Sequence, residues 1–132
     1  MPDEPPELPP ESPAGPQLRT VAMPRDANPS GDIFGGWTLS QMDIAGATFA
    51  AERSGGRVAT VAIDAMKFLA PIRVGDEVSC YCHEASHSEH AVGVRVETWT
   101  RSRQGQAPAK VTEGLFTYAA ITDDGHKRPV ED

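Results

Sequence analysis

The 132-residue chain has few basic residues for its length. Its 12 Lys and Arg are outnumbered by 19 Asp and Glu, which gives a formal net charge of −7. A phosphate backbone needs a basic face on its protein partner, so this balance argues against binding to nucleic acid. A small anionic ligand remains compatible with it, because such a ligand needs only a local cluster of Lys and Arg.

The sequence also predicts no disulfide framework and no signal peptide, and it contains no long apolar run. Its two cysteines, Cys80 and Cys82, are one residue apart and make a poor structural disulfide, so we expect free thiols in a reducing compartment. The N-terminus is acidic and proline-rich, whereas a signal peptide starts basic and then turns apolar. No apolar run reaches the roughly 20 residues that span a bilayer. We therefore expect a cytoplasmic protein with no membrane partner.

The first 16 residues, Met1 to Pro16, contain seven of the 12 prolines and four acidic residues. This segment has almost nothing to bury, so we expect a disordered tail over residues 1–16 and a single folded domain over residues 17–132. A chain of this length supports one domain and little more.

One helix and five strands are predicted within the domain. The segment from about Gly36 to Arg53 lacks strict alternation and is rich in helix-forming residues, which predicts a helix. Its apolar residues nearly encircle it, so a sheet must cover it on most sides. The predicted strands are Leu18 to Met23, Arg57 to Phe68, Glu77 to Ser86, His90 to Arg103 and Ala109 to Ile121. The result is an α+β fold whose single antiparallel sheet is too small to cover the helix alone, so we expect at least a dimer.

Asp43 is the single charged residue in the run from Ile33 to Ala51. A carboxylate in so apolar a segment is expected to be at least partly buried, and burial without a partner is costly. Asp43 therefore needs a partner, a neutral state or a chemical role. It is either a general base or a structural residue bonded to Ser40, Thr48 or a backbone group.

A glycine pair, Gly35 and Gly36, stands where a loop enters the predicted helix. The first helical turn has N–H groups without internal partners, which suits a developing oxyanion, although the pair could also serve only the turn or close packing. Asp43 lies seven residues after Gly36, which is roughly 10 Å along the helix axis. A general base must come within ~3 Å of its target. If two antiparallel copies of the helix lie side by side, Asp43 of one chain can face Gly36 of the other.

Further candidate residues lie near predicted loops. The amide of Asn28 can orient a water or donate to a carbonyl oxygen, but Asn beside Pro29 is also an ordinary turn element. Lys67 and Arg73 flank residues 68–72 at a strand end, where they could receive the phosphates of an extended ligand. Taken singly, each of the two is equally typical of solvated surface charge.

The sequence does not indicate a metal or a nucleotide site. His83 follows the two cysteines closely, but alternation along a strand puts Cys80 and Cys82 on one face and His83 on the other. No G-x-S-x-G nucleophile elbow and no glycine-rich phosphate loop is present. We predict no metal and no cofactor.

Six segments form a combined pattern that is more specific than any of them alone. They are Asp26 to Asn28, Gly31 to Trp37, Ser40 to Asp43, Arg57 to Met66, Phe68 to Asp76 and Val111 to Tyr118. This combination resembles the hot-dog-fold acyl-CoA thioesterases, in the branch of bacterial acyl-CoA thioester hydrolases related to the two-domain brain acyl-CoA hydrolase of animals. The resemblance covers about Leu18 to Val130.

The resemblance implies a long helix wrapped by a five-stranded antiparallel sheet, and homodimers with paired active sites that often assemble as a trimer of dimers. It implies hydrolysis of acyl-CoA to a free acid and CoA. The catalytic residues that it implies are Asp43, Asn28 and Gly36, with Asp43 and Asn28 supplied by opposite subunits. The substrate-binding residues that we predict are Gly35, Thr60, Lys67, Phe68 and Arg73.

The sequence departs from the family pattern at two places. Ala70 stands where relatives usually carry Lys, which suggests a rearranged recognition of the CoA phosphates, and Pro29-Ser30 is expected to stiffen its loop.

Two other functions stay open. A hydratase or dehydratase on the same fold usually pairs a His with a carboxylate near the helix, and no histidine precedes Cys82. A non-catalytic acyl-CoA-binding protein would leave the three implied catalytic residues unexplained.

Overall fold

The structure is a computed structural model that describes residues 9–10 and 15–130. Most of the predicted tail, residues 1–8 and 11–14, lies outside the described residues, as do residues 131–132. The boundary between tail and domain therefore stays a prediction.

The chain forms one long helix and five strands in the predicted order. The elements are β1 (Leu18–Val21), a short 3-10 helix (Pro24–Asp26), α1 (Gly35–Ser54), β2 (Val58–Phe68), β3 (Glu77–His87), β4 (Ala91–Arg101) and β5 (Ala109–Ala120). Each predicted helix or strand is confirmed, with ends within two residues of those expected. The 3-10 turn lies between β1 and α1, and Pro24 fixes the backbone angle φ of its first residue.

α1 ends where the sequence supplies flexible glycines. Gly55 has a φ of 80°, and its N–H donates to the Ala51 carbonyl over 3.0 Å. That left-handed conformation favours glycine and terminates the helix after Ser54. The helix therefore spans 20 residues from the glycine pair to this cap.

The five strands form one antiparallel sheet in the order β1-β3-β4-β5-β2. Burial alternates along β5, as in a half-buried strand. The sequence alternation of Val92 to Trp99 predicts the same for β4, but that prediction is wrong, because β4 is buried on both faces except at Arg95 and at its two ends. The side chains buried between α1 and the sheet include Met42, Ala45, Val94, Phe116 and Tyr118. The predicted α+β fold, a helix covered by a five-stranded antiparallel sheet, is confirmed.

The covering of α1 is incomplete within one chain. Ile44 on the helix is 52% exposed, and Val61 on the edge strand β2 is 59% exposed. Ile63, further along β2, is exposed as well. β2 pairs with β5 on one side only, so an apolar helix side chain and an apolar sheet edge both lack cover in the monomer.

β2 also carries two irregularities. Its register against β5 shifts between Thr60 and Ala62 and again between Asp64 and Lys67, and Ala65 adopts a φ of 52°. Bulges of this kind twist a strand and redirect the side chains that follow. Both irregularities lie between Thr60, whose side chain contacts α1, and Phe68, the last residue of β2.

Cys80 and Cys82 are free and face the helix side, whereas His83 is exposed on the other face, as predicted. Burial raises the pKa of the Cys80 thiol to about 11 and that of Cys82 to about 12, so both are protonated at neutral pH.

Within residues 9–10 and 15–130, no group of three or more His, Cys, Asp or Glu could hold a metal ion. No helix in the same part of the chain is long and apolar enough to cross a membrane.

We predict that Met42→Ala lowers the free energy of unfolding by about 2–5 kcal/mol, because Met42 is fully buried between α1 and the sheet. Thr48→Ala, on an exposed position of the same helix, is the matched control and should change it by less than about 0.5 kcal/mol. Urea denaturation followed by circular dichroism measures both. Equal losses in the two variants would contradict the described packing.

Candidate active site

Asp43 is half-buried in the middle of α1, as the sequence predicts, and two side chains of the sheet hold its carboxylate. The Thr60 hydroxyl donates to Asp43 Oδ1 over 2.8 Å, and the Tyr118 hydroxyl donates to the same oxygen over 3.0 Å. Asp43 Oδ2 makes no hydrogen bond with any residue that the structure describes. One carboxylate oxygen is therefore fixed in place while the other stays available.

The local partners expected from the sequence do not bond Asp43. The Thr48 hydroxyl donates instead to the Ile44 carbonyl one turn back, over 2.8 Å. A hydroxyl within a helix commonly makes this internal bond, which competes with any bond to a neighbouring side chain. Asp43 does have hydrogen-bond partners, as the structural interpretation requires, but they lie on β2 and β5 and not on its own helix.

Tyr118 was not singled out from the sequence as a site residue. It is fully buried on β5, and its hydroxyl lies within 3.1 Å of the Asp43 carbonyl oxygen as well as 3.0 Å from Oδ1. Burial, followed by the negative charge of Asp43, raises the pKa of Tyr118 far above its ordinary value. The phenol therefore stays protonated and acts as a permanent donor to the carboxylate.

Gly46 makes this contact possible. A Cβ atom at Gly46 would lie 2.3 Å from the Tyr118 hydroxyl oxygen and 2.9 Å from Cζ. No real Cβ approaches another atom so closely, so any larger residue must displace the buried ring. The absence of a side chain at Gly46 lets the Tyr118 hydroxyl reach the helix one turn after Asp43.

The first turn of α1 is open. The N–H groups of Gly35 and Gly36 make no hydrogen bond with the described residues, whereas Trp37 N–H donates to the Phe34 carbonyl over 3.1 Å. A Cβ at Gly36 would meet nothing within 4 Å, and its φ is not positive, so neither packing nor a turn within the chain requires glycine there. The alternative in which the pair serves only the turn or close packing is therefore disfavoured for Gly36. The N–H groups of both glycines, at the positive end of the helix dipole, have no partner among the described residues.

Asn28 sits in a short loop before the helix with its amide orientation fixed. Its Oδ1 accepts from the backbone N–H of Ser30 over 2.9 Å and of Asp32 over 3.1 Å. The turn interpretation of Asn28 is thus confirmed for Oδ1, while Nδ2 makes no hydrogen bond among the described residues. The Asn28 side chain can donate to a ligand without breaking the turn.

An open groove of about 340 Å³ runs beside the first helical turn. Two predicted substrate-binding residues meet in it: a Cβ at Gly35 would lie 3.5 Å from the Phe68 ring, and Phe68 itself is more than half exposed. Its walls are Ile33, Gly35, Thr38, Phe68 to Ile72 and Thr112. Polar and apolar atoms line the groove about equally, and Gly35, whose N–H is free, is one of its walls.

Lys67 and Arg73 lie at the two ends of the segment that forms this groove. Both side chains are exposed, and neither forms an ion pair with a described residue. Arg73 is bridged through its backbone to Asp32, in the loop of Asn28. Two unpaired cations therefore flank the open side of the groove.

The predicted site residues thus fall into two groups within one chain. Thr60 joins Asp43 on the middle of α1, while Asn28, Gly35, Gly36, Phe68 and Arg73 gather around its first turn. Asp43 and Gly36 are seven residues apart on α1, hence on the same side of the helix but separated by roughly 10 Å. A single chain does not bring the carboxylate to the free N–H groups.

Comparison with known proteins identifies the family. The model of the thioesterase superfamily matches residues 30–106. The acyl-CoA thioester hydrolase YciA of Salmonella typhimurium is 45% identical over 116 residues, which cover 86% of this chain and 87% of that protein.

Solved structures agree with this sequence similarity. The hexameric thioesterase y2039 from Yersinia pestis is 45% identical with a TM-score of 0.85, over 92% of this chain and 99% of that one. Cj0915, a hexameric hotdog-fold thioesterase of Campylobacter jejuni, is 43% identical with a TM-score of 0.84, over 89% and 90% of the two chains. The helix, the sheet and the matched residues together show that this chain belongs to the thioesterase superfamily and has the hot-dog fold.

Proposed function

We propose that the protein hydrolyses acyl-CoA thioesters to a free acid and CoA, with each active site built from two copies of the chain. The observation that carries this proposal is the carboxylate of Asp43, held through one oxygen by two donors and free at the other. The comparisons support the reaction, because a relative that is 45% identical is an acyl-CoA thioester hydrolase.

In this proposal Asp43 acts through Oδ2. As a general base it takes a proton from the attacking water; as a nucleophile it attacks the thioester carbonyl directly and forms an anhydride that water then cleaves. Thr60 and Tyr118 act as positioning residues, because they restrain the carboxylate from the opposite oxygen. Single turnover in H₂¹⁸O separates the two routes, since only the nucleophilic route places ¹⁸O in Asp43.

The start of α1 supplies the electrophilic half of the site. The N–H of Gly36 polarises the thioester carbonyl and stabilises the negative charge that develops on its oxygen. Asn28 Nδ2 donates to the water or to the thioester. Water adds to the carbonyl carbon, the carbon–sulfur bond breaks, and the sulfur leaves as the CoA thiol after protonation.

A partner subunit brings these two halves together. Gly36 and Asp43 lie too far apart within one helix, but an antiparallel second helix places Asp43 of one copy beside Gly36 of the other. The exposed Ile44 and the exposed edge of β2, with Val61 and Ile63, supply the apolar surface for this contact. The hexameric state of two solved relatives is compatible with a trimer of such dimers.

Substrate binding is assigned to the groove and its two cations. The acyl group is apolar and the extended pantetheine arm alternates alkyl segments with amides, which suits a groove lined by both apolar and polar atoms. Relatives usually carry a lysine at the position of Ala70. In this chain Lys67 and Arg73 attract the CoA phosphates instead. Their exposed side chains are free of competing ion pairs within the described residues.

The arrangement of histidines disfavours the hydratase alternative. His83 pairs with Glu97 on the far face of the sheet, and His90 Nδ1 contacts the Arg128 carbonyl near the β3–β4 turn. Among the described residues, no histidine forms a hydrogen bond with Asp43. The mere binding of acyl-CoA would not require a carboxylate held with one free oxygen.

We predict that Asp43→Asn lowers kcat/KM for acyl-CoA hydrolysis by at least ~1,000-fold, because the amide can neither accept the proton nor attack. Glu52→Gln replaces another carboxylate on α1 and should retain wild-type turnover. A thiol-release assay measures both, and circular dichroism with size-exclusion chromatography verifies the fold and the oligomer. Wild-type turnover in Asp43→Asn would contradict the assignment.

We predict that Tyr118→Phe changes how stability depends on pH. A phenol whose pKa is raised by folding stabilises the protein below its unfolded pKa of about 10. That contribution is lost as pH rises above this value, because only the unfolded chain releases the proton. Urea unfolding at pH 8 and pH 11 should show a steeper loss of stability in the wild type than in Tyr118→Phe. Parallel losses would mean that folding does not raise the pKa of Tyr118.

We predict that Lys67→Ala combined with Arg73→Ala raises KM for acyl-CoA by about tenfold and leaves kcat nearly unchanged, because two phosphate contacts are lost. An acyl-pantetheine substrate, which lacks the nucleotide phosphates, should show no change. Lys127→Ala, at an exposed cation away from the groove, serves as control. Equal effects on the two substrates would refute the phosphate assignment.

A further inference from the structure

The face of the sheet that points away from α1 carries two aromatic residues that are unexpectedly buried. Cys80 and Cys82 of β3 face the helix, so Tyr81 between them points the other way. Trp99 of β4 is opposite Ser79, on this same outer face. Tyr81 is nevertheless only 9% exposed and Trp99 only 2%.

A narrow cleft of about 60 Å³ lies over these aromatic rings. Pro9, from the proline-rich segment, is one of its walls, and Pro108 of the β4–β5 link is another. The two arginines on the rim, Arg19 and Arg101, both pair with Glu77, so the rim keeps one positive charge in excess. Grooves lined by aromatic rings are typical of sites that bind proline-rich segments.

Trp99 also has an unused donor in this cleft. Its indole Nε1 is buried and has no hydrogen-bond partner among the described residues. An indole N–H can only donate, and leaving it buried without an acceptor costs free energy. Pro9 as placed in the structure does not meet this need, because the indole N–H stays unpaired although Pro9 already forms one wall of the cleft.

We propose that this outer-face groove is a docking site for a proline-rich segment, and that its occupant is the N-terminal segment of the same chain, bound through Pro9 and Pro10. The segment holds seven prolines and four carboxylates, which match the aromatic rings and the excess positive charge of the rim. The sequence predicts a disordered tail because the segment has little to bury by itself. The groove supplies the apolar surface that the segment lacks.

The connection is long enough for this contact. Gln17 N–H donates to the Cys80 carbonyl over 2.8 Å, so the chain enters β1 beside Tyr81. The six residues 11–16 can span up to about 20 Å, which exceeds the spacing of neighbouring strands several-fold. Pro9 can thus reach Trp99 on β4 without displacing β1. Asp43 lies on the opposite face of the sheet, so this docking site is separate from the proposed hydrolysis.

Fluorine NMR tests the proposal with an internal control. The full chain labelled with 5-fluorotryptophan gives one resonance each for Trp37 and Trp99, which Trp37→Phe assigns. Deletion of residues 1–16 should shift the Trp99 resonance and increase its sensitivity to solvent deuteration while leaving Trp37 unchanged. Full-length Pro9→Ala with Pro10→Ala, which keeps the chain length, should move Trp99 in the same direction. An unchanged Trp99 resonance in both variants would overturn the proposal.

A synthetic peptide of residues 1–16 should restore the Trp99 resonance of the truncated protein in a saturable titration. The same peptide with Ala at positions 9 and 10 should bind with a Kd about tenfold higher. Equal affinity for the two peptides would refute docking through the prolines.

Photo-crosslinking decides which chain supplies the segment. A photoreactive residue replaces Pro10, and isotopically heavy and light chains are unfolded and refolded together. Cross-links from position 10 to the peptides of β3 or β4 within one isotope would support docking in the same chain. Mixed heavy–light cross-links would overturn that assignment, and so would cross-links only to other parts of the molecule.

Discussion

The hydrogen bonds that two sheet residues donate to the carboxylate of Asp43 are the contact on which the proposed chemistry depends. They join β2 and β5 to the middle of α1 through Thr60 and Tyr118. The same contact satisfies a charge in an otherwise apolar helix and leaves Oδ2 free. It also constrains the packing, because Gly46 must stay without a side chain for Tyr118 to approach.

The helix length explains why one chain is insufficient for the proposed reaction. α1 presents free N–H groups at its first residues and the carboxylate two turns later, on the same side. An antiparallel copy exchanges these positions and yields two complete sites from two incomplete ones. The exposed apolar residues of α1 and β2 provide a physical reason for that second copy to bind.

Much of this arrangement is predictable from the sequence, and the remainder depends on tertiary packing. The strand patterns and the uncharged helical run predicted the fold correctly, and the lone Asp43 is the partly buried carboxylate that the sequence indicated. Tyr118 was missed, although a signal exists: it occupies an inward position on β5, where a buried hydroxyl needs an acceptor. Proximity along the helix favoured Thr48 as a partner of Asp43, but the Thr48 hydroxyl donates to the Ile44 carbonyl of the helix backbone. The Trp99 cleft was not foreseen, because it joins distant parts of the chain.

Complementation between two inactive variants tests the shared site most directly. One chain carries Asp43→Asn and the other carries Asn28→Ala, and the two are unfolded and refolded together at equal concentrations. Half of the dimers should then be mixed, each with one intact site, so about a quarter of wild-type thioesterase activity should return. Each variant refolded alone should stay inactive. If the mixture stays inactive while mixed dimers form, Asp43 and Asn28 do not act across subunits, and the central claim is wrong.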